Sequence, residues 1–469
     1  MGRVDVIERL VRESAAPGFR VDTTPTWVRV SPPAAELPEH GWKLHISARA
    51  VAYVDVVRVV VPVLLAERCP FKLAVSEEVL RRLNDGVSAP ALVGKAITVY
   101  PDQDRTRDLG LRLVALLSGV GGPRVLSDRR VDASAPVYYR YGPFLQRPDA
   151  QADEPMRGPD GTEFDGAATL VYRQPPWTVD PFTGQAASEA NRIPEPVLFG
   201  GRYRVCDVIQ SSARGDVLRA VDTVSGDPVV IKQARAYVAE ENGSLDTRLR
   251  LRNERRVLHA VDGMTGVPRL LDHFRHGADE FLALSDEGPS NLRDAVRRAG
   301  GRMSARTLRR LAADLAAILL DLHRRGVVLR DLAPKNVVLR GERVSVVDFG
   351  LASYDGVHFE GGTPGFAPAR QCRGEAPDAA DDLHALGMTI WFAMTGRDPV
   401  WIETDMEAPR AEALRVVHER YGAQPKGLPG EVAALLSGDA DVARSAAARL
   451  ASLSGQGVLR TGRSDRSGR

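Results

Sequence analysis

The possible folds of this chain are narrowed most by two short segments near residue 340. The first is Val327-Val328-Leu329-Arg330-Asp331-Leu332-Ala333-Pro334-Lys335-Asn336. After an apolar, strand-like run comes the second, Asp348-Phe349-Gly350. An Asp, an Asn five residues later and a second Asp opening a D-F-G turn form a constellation that holds a nucleoside triphosphate and its metals. Asp331 is placed to accept the proton of an incoming hydroxyl, and Asn336 and Asp348 to offer hard oxygens to Mg²⁺. Each piece alone occurs by chance. The three in register, with a β-run between them, are specific.

A chain of 469 residues is too long for one ordinary core, so two or three domains are expected. The net charge of +2 exerts no general pull toward nucleic acid or an anionic membrane. Cys69, Cys206 and Cys372 are too far apart for a disulfide framework or a zinc-ligand spacing, which points to a reducing cytoplasm. The first residues lack a signal-peptide core, and the most apolar run, Val59 to Ala66, is too short to span a bilayer. Neither nucleic acid nor membrane is therefore expected as a partner.

Arginine bias is the most useful compositional fact. Of 63 basic residues only six are lysine: Lys43, Lys72, Lys95, Lys232, Lys335 and Lys426. Where arginine serves for generic positive charge, the remaining lysines are candidates for work arginine cannot do. A buried lysine can lose its proton near neutral pH and act as a base, and arginine cannot.

In the first part of the chain, Gly41-Trp42-Lys43-Leu44-His45-Ile46-Ser47 alternates as a strand, with Lys43, His45 and Ser47 on one face and Trp42, Leu44 and Ile46 on the other. A helix is expected from about Val51 to Glu67, with Pro62 tolerated or kinking it, and another from Glu77 to Leu83. Further strands are expected at Phe71–Ala74, Lys95–Pro101 and Val125–Arg130, and a helix at Asp108–Leu117. A mixed fold of this kind can bring Lys43, Lys72, Lys95, His45, Arg129 and Arg140 together. Such cations repel one another unless an anion sits among them, and phosphate, matched by arginine forks, is the obvious candidate.

These blocks, with Ser127-Asp128-Arg129-Arg130, Tyr138-Tyr139-Arg140-Tyr141-Gly142 and Pro175 to Phe182, resemble the amino-terminal lyase domain of class III and class IV lanthipeptide synthetases, a relative of phosphothreonine lyases. The resemblance covers about residues 25 to 185. It implies β-elimination of phosphate from phosphoserine or phosphothreonine. In that reading Lys72 is the general base, His45 the general acid and Lys43 the group that steadies the enolate. Lys95, Arg129 and Arg140 bind phosphate.

Downstream, the order of motifs resembles a protein kinase. Ile209 to Val217 aligns with the glycine-rich loop, though Gln210 and Ser212 stand where glycines are usual and only Gly215 remains. Backbone amides near Ser212 and Gly215 are expected to cradle phosphates. Lys232 closes Val229-Val230-Ile231-Lys232, and Glu254 is its expected carboxylate partner. A long helix is expected from Leu308 to His323. Leu329 replaces the usual His before Arg-Asp, and Ala333 the usual Lys after it. Lys335 is either a phosphate contact or a surface charge. Asp382 is expected to hold the catalytic loop through its backbone. Ala369 replaces the Glu that Arg444 would normally pair with.

The expected fold is α+β: a phosphothreonine-lyase-like domain over 1–185, a linker over 186–199, a bilobal protein-kinase-like domain over 200–453 and a disordered tail over 454–469. Gln151 to Gly166 is read as a loop. The resemblance implies a peptide dehydratase in lanthipeptide-type biosynthesis, using ATP or GTP and Mg²⁺ on a ribosomally made precursor of leader and Ser/Thr-containing core. No cyclase domain is expected in the chain as given, so ring closure would need a separate cyclase or be spontaneous, and a separate cyclase or other modifying enzyme is an expected partner. Two rival readings are a signalling Ser/Thr kinase with a phosphate-sensing amino-terminal domain and a pseudokinase scaffold that binds a leader peptide.

Overall fold

The computed structural model describes residues 6–15, 17–33, 35–144, 155–167, 169–191, 198–240 and 246–454. Part of the expected linker (192–197) and all but the first residue of the expected tail (455–469) lie outside them. The chain forms two compact units. The first holds 1–226, 231–249 and 274–281; the second holds 227–230, 250–273 and the chain from 282 onward. The amino-terminal sheet and the hairpin carrying Gly215 thus share one unit.

The first unit is built on an antiparallel seven-stranded sheet of order β1-β2-β4-β5-β3-β7-β6. Its strands are β1 (Arg20–Thr23), β2 (Trp27–Ser31), β3 (His40–Ile46), β4 (Phe71–Ala74), β5 (Ile97–Val99), β6 (Arg129–Arg130) and β7 (Val137–Pro143). Alternation decides its two faces. Leu44, Ile46, Phe71, Leu73, Ile97 and Val99 are fully buried on one face, in a core shared with the helices α1 (Val6–Ser14), α2 (Tyr53–Ala66), α3 (Glu77–Leu83) and α4 (Thr106–Leu116).

Helix α2 buries Tyr53, Val56, Val57, Val60, Val61 and Leu64, a stripe at helical spacing. Pro62 lies inside this helix on its exposed side, where the carbonyl of Arg58 that loses its donor faces water. Ser76 caps α3 by accepting from Val79 N, with Glu77 and Glu78 in the first turn. The expectations for α2, α3 and α4 hold to within two residues. Lys95, however, precedes β5 rather than lying in it, and only Arg129–Arg130 of Val125–Arg130 is strand. The region read as a loop contains a small hairpin, β8 (Met156–Arg157) with β9 (Glu163–Phe164). A four-residue helix, α5 (Ala187–Ala190), follows.

A six-stranded sheet of order β10-β11-β12-β13-β15-β14 comes next. Its members are β10 (Leu198–Phe199), β11 (Tyr203–Ser212), β12 (Gly215–Asp222), β13 (Pro228–Ala234), β14 (Leu270–His276) and β15 (Asp279–Ser285). The second unit contains α6 from Arg250 on (Thr247–Ala260 in full), α7 (Leu292–Arg298), α8 (Ala305–Arg324) and a small sheet of β16 (Ser290–Asn291), β17 (Val337–Arg340) and β18 (Arg343–Val346). The helices α9 (Ala369–Cys372), α10 (Ala379–Thr395), α11 (Ala408–Tyr421), α12 (Leu428–Leu435) and α13 (Ala440–Ala451) complete it.

Helix α10 is buried along nearly its whole length and opens with a capping box between Asp378 and Asp381. It ends on Gly396 at φ 70°, where a Cβ would lie 1.8 Å from the Gly301 carbonyl oxygen. No helix among the described residues is long and apolar enough to cross a membrane.

Candidate active sites

The second face of the seven-stranded sheet carries the charges. Register places Arg29 beside Lys72, Lys72 beside Thr98, Thr98 beside His45, His45 beside Tyr138, and Tyr138 beside Arg130. One row of side chains thus crosses six strands. Two residues along β3, Lys43 is paired with Arg140. Both reach over Gly142, where a Cβ would lie 3.2 Å from Arg140 Nε and 3.3 Å from Lys43 Nζ. Lys95, 5% exposed, enters the same cluster from the turn before β5 and influences both Lys43 and His45 electrostatically.

A buried carboxylate, Asp128, sits among these cations. Its Oδ2 lies 2.5 Å from His45 Nδ1, and its Oδ1 accepts from Ser127 Oγ at 2.6 Å. His45 and Asp128 are both buried. Burial costs the Asp128 carboxylate, but His45, Lys95 and Arg140 outweigh that and hold it ionised well below the usual carboxylate range. Burial pushes the His45 imidazole down to about 3 despite Asp128, helped by Lys95 and Lys43. The proton on Nδ1 faces Asp128, which leaves Nε2 bare in the ligand-free site.

The lysines respond to the same crowding. Burial first, then Arg140 and Lys95, hold Lys43 well below the ordinary lysine value; its Nζ donates to Pro143 O at 2.9 Å. Burial and Arg29 bring Lys72 down to about 8, with its Nζ 4.6 Å from the centre of the Trp27 ring. Burial also brings Lys95 to about 8, against the opposing pull of Asp128. Two unit charges 4 Å apart repel by about 4 kcal/mol at an effective dielectric of about 20, so full protonation of this face requires an anion. The buried Nε of Arg29 has no hydrogen-bond partner among the described residues, and it faces the same row.

Arg129 is the one predicted phosphate ligand that the sheet separates from this face. Register puts it beside Tyr139, on the core side, where it pairs with Asp180 at 3.1 Å and lies over the Tyr172 ring. Asp180 also accepts from Tyr139 Oη at 2.7 Å. Strand alternation is the cause: within β6, Arg129 faces the core side beside Tyr139 and Arg130 the charged row beside Tyr138. Sequence reasoning singled out the arginine and missed Asp128, Arg29 and Thr98. Asp128 stood in the quoted Ser127–Arg130 block, but nothing local marked it as the histidine's partner.

The second unit carries the other site. Asp331 is 7% exposed, and its carboxylate accepts from Asn336 Nδ2 at 2.9 Å and Thr363 Oγ1 at 2.6 Å. Burial raises its pKa, Lys335 at 3.7 Å opposes the shift, and Asp348 adds to it. Lys335 is therefore an ion partner of Asp331. Asn336 spends its amide on Asp331, including the backbone carbonyl at 2.9 Å, which leaves its Oδ1 as an acceptor.

Arg330 and Asp348 adopt φ 65° and 72°, left-handed values that cost non-glycine residues about 1–3 kcal/mol each and are kept at sites where direction matters. Asp382 pays part of that cost: its carboxylate accepts from Leu329 N, Arg330 N and His323 Nε2 at 2.7–2.8 Å, as expected from sequence. Gln371 adds a bond from Nε2 to Arg330 O at 2.7 Å. Glu254 is 1% exposed and accepts from Phe349 N at 3.3 Å, while Asn253 Nδ2 donates to Gly350 O and Ala352 O. Thus α6 holds the D-F-G backbone. Arg444 turns to its neighbour Asp441, and Arg370 pairs with Asp381 at 2.6 Å.

A divalent cation fits this second site. Asp348 is close enough to Asp331 to raise its proton affinity, and the carboxylate of Asp348 with the Asn336 Oδ1 offers hard-oxygen donors. In the first unit, Lys232 is half-buried on β13. Ser212 and Gly215 close the β11–β12 hairpin as a register pair, with the Ser212 hydroxyl donating to Gly215 O at 2.8 Å. A Cβ on Gly215 would lie 1.8 Å from Gln233 O, so packing inside its own sheet already requires this glycine.

Comparison with known proteins divides the chain in the same order. Residues 7–193 match the model of the RamC N-terminal domain, and residues 203–436 match that of the protein kinase domain. A probable SapB synthase of Streptomyces coelicolor is 31% identical over 382 residues, 77% of this chain and 40% of that protein. Serine/threonine-protein kinase B of Synechocystis is 27% identical over 45% of this chain and 39% of its own length. The kinase AfsK of Streptomyces griseus is 30% identical over 46% of this chain. The chain spans about two fifths of the first two of these relatives.

Proposed function

We propose that this chain, a RamC N-terminal domain followed by a protein kinase domain, is a two-step peptide dehydratase. In the first step a Ser or Thr hydroxyl of a precursor peptide receives the terminal phosphoryl group of ATP or GTP. Asp331 takes the hydroxyl proton and Thr363 orients its carboxylate. Asn336 and Asp348 would hold Mg²⁺, which supplies charge neutralisation when bound. Lys232, with Ser212 and Gly215 amides, serves the nucleotide phosphates, and Glu254 belongs to the same machinery.

In the second step the phosphate is expelled. The phosphorylated residue lies on the charged sheet face, its phosphate near Lys95, Arg140 and Arg29. Neutral Lys72 removes the Cα proton, and Lys43 stabilises the enolate that forms on the peptide carbonyl. The incoming phosphate adds negative charge to that of Asp128 beside His45, so Nε2 takes up a proton and passes it to the leaving oxygen. The Cα–H and Cβ–O bonds break, a Cα=Cβ double bond forms, and inorganic phosphate leaves, giving dehydroalanine or dehydrobutyrine.

The observation that carries this reading is the row of crowded cations with His45–Asp128 on one sheet face. Lys72 and Lys95 are lowered to about 8, as a base that must be neutral requires. The SapB synthase relative favours biosynthesis over signalling and a peptide as substrate. Mass spectrometry of a precursor peptide incubated with the chain, nucleotide and Mg²⁺ tests it. Loss of water is expected. A stable phosphate adduct would mean a kinase alone, and an unchanged peptide a scaffold. Lys72→Ala should accumulate phosphopeptide, and Asp331→Ala should still eliminate phosphate from a pre-phosphorylated peptide.

A further inference from the structure

The β11–β12 hairpin departs from a glycine-rich loop in composition, and the structure shows a second departure. Its tip is not free. Ala213, at the turn, is 1% exposed and packs with Val93 and Val238 in a small apolar cluster. Arg214 Nε donates to Asp85 O at 2.8 Å, and Arg214 O accepts from Arg235 N at 2.9 Å.

The surface that receives the tip belongs to the amino-terminal domain and is built for contact. Gly86, at φ 76°, lies so close that a Cβ there would sit 2.9 Å from Arg214 Cγ. Asn84 braces the turn from within: its Oδ1 accepts from Gly94 N at 2.9 Å and its Nδ2 donates to Ala48 O at 3.2 Å. Its backbone carbonyl accepts from Ala239 N at 2.8 Å. Arg235, 6% exposed, grips the hairpin from the other side through Ser212 O and Asp216.

We propose that the amino-terminal domain is the anchor of the nucleotide-binding hairpin, with Arg214 as a positioning residue that holds the Ser212–Gly215 turn in its phosphate-binding shape. This rests on the reading that the hairpin binds nucleotide. A glycine-rich loop reaches phosphates by flexibility and loses that freedom on binding. Here Gln210 and Ser212 remove the flexibility, and the dock supplies in advance the shape that flexibility would otherwise have to find. The arrangement accounts for the missing glycines and for a buried residue at what is normally an exposed tip. It also makes the kinase step depend on a domain that does not carry out phosphoryl transfer.

The test uses the full chain. Equilibrium binding of MgATP is measured by calorimetry, and KM for MgATP and kcat are measured for phosphoryl transfer to the precursor. Arg214→Ala is expected to weaken MgATP binding and raise KM about tenfold, with kcat changed less than threefold and elimination from a pre-phosphorylated peptide unchanged. Arg214→Lys should restore part of the affinity. Arg49→Ala, which removes the Arg49–Glu240 pair of the same domain junction without touching the hairpin, should bind MgATP as wild type does. An Arg214→Ala chain that binds MgATP within twofold of wild type overturns the proposal, as does an equal loss in Arg49→Ala. If wild type itself fails to bind MgATP, the kinase reading is refuted, and the hairpin inference falls with it.

Discussion

Asp128→Asn removes the buried negative charge beside His45 on the charged sheet face. Asparagine keeps the shape and can still accept at the position that meets His45 Nδ1, so the substitution removes charge and little else. Breaking a buried ion pair ordinarily costs about 3–5 kcal/mol because its partner stays charged and unpaired. That is not the expectation here. Lys95 is already held near 8, so at pH 7.5 the cluster can shed a proton from that amine for about 0.7 kcal/mol, at about 1.36 kcal/mol per pH unit. His45 is neutral in the ligand-free site and needs no counterion there. The variant should therefore fold, with a melting temperature lower by about 2–4 °C for a loss near 1 kcal/mol.

Catalysis should respond differently. Without the Asp128 charge, His45 does not hold a proton on Nε2 even when phosphate is bound, and a general acid contributes about 10²–10⁴-fold. Elimination from a pre-phosphorylated peptide, followed by phosphate release, should fall by that factor while phosphorylation of the unmodified peptide continues, so phosphopeptide accumulates. Wild-type elimination by Asp128→Asn would refute the acid role of His45. A melting temperature lower by more than about 10 °C would show instead that the carboxylate is a structural counterion.

Other perturbations follow from the same geometry. Elimination should speed up as pH rises through about 8, because Lys72 acts only after losing its proton and its value is lowered to about 8; a Lys72→Arg chain should lose this limb and at least about 10²-fold in rate, as read from a pH–rate profile. Thr363→Val removes the hydroxyl that orients Asp331 and should lower kcat for phosphorylation about tenfold, the loss of one hydrogen bond to a charged group, with KM for MgATP unchanged. Asp382→Ala frees two catalytic-loop amides and should cost about 3 kcal/mol in urea unfolding of the kinase domain, while elimination by the amino-terminal domain persists.

Much of this was legible in the order of residues. The spacing of Asp331, Asn336 and Asp348 is a local property of one loop and one turn, and the folded site keeps it. The alternation in β3 separated Lys43 and His45 from Trp42, Leu44 and Ile46 before any sheet was known. The arginine bias pointed to Lys43, Lys72 and Lys95, which the fold brings to one charged sheet face.

What lay beyond the sequence depends on pairing between distant segments. Arg129 and Asp128 are neighbours with opposite fates: register against β7 turns Arg129 to the core side, while Asp128, in the bend before β6, meets His45. Arg29 became part of the charged row because β2 pairs with β4, which no local pattern encodes. The surviving glycine of the hairpin looked like a phosphate-approach glycine, and packing against Gln233 proved to demand it. The burial of Ala213 depends on Val93, some 120 residues earlier in the chain. Side-chain direction along a strand follows from backbone geometry and can be read from a few residues. Which strands lie side by side, and which surfaces close on one another, is settled by the burial of apolar area over the whole chain, so the arginine left outside the charged face and the anchored hairpin appear only once it has folded.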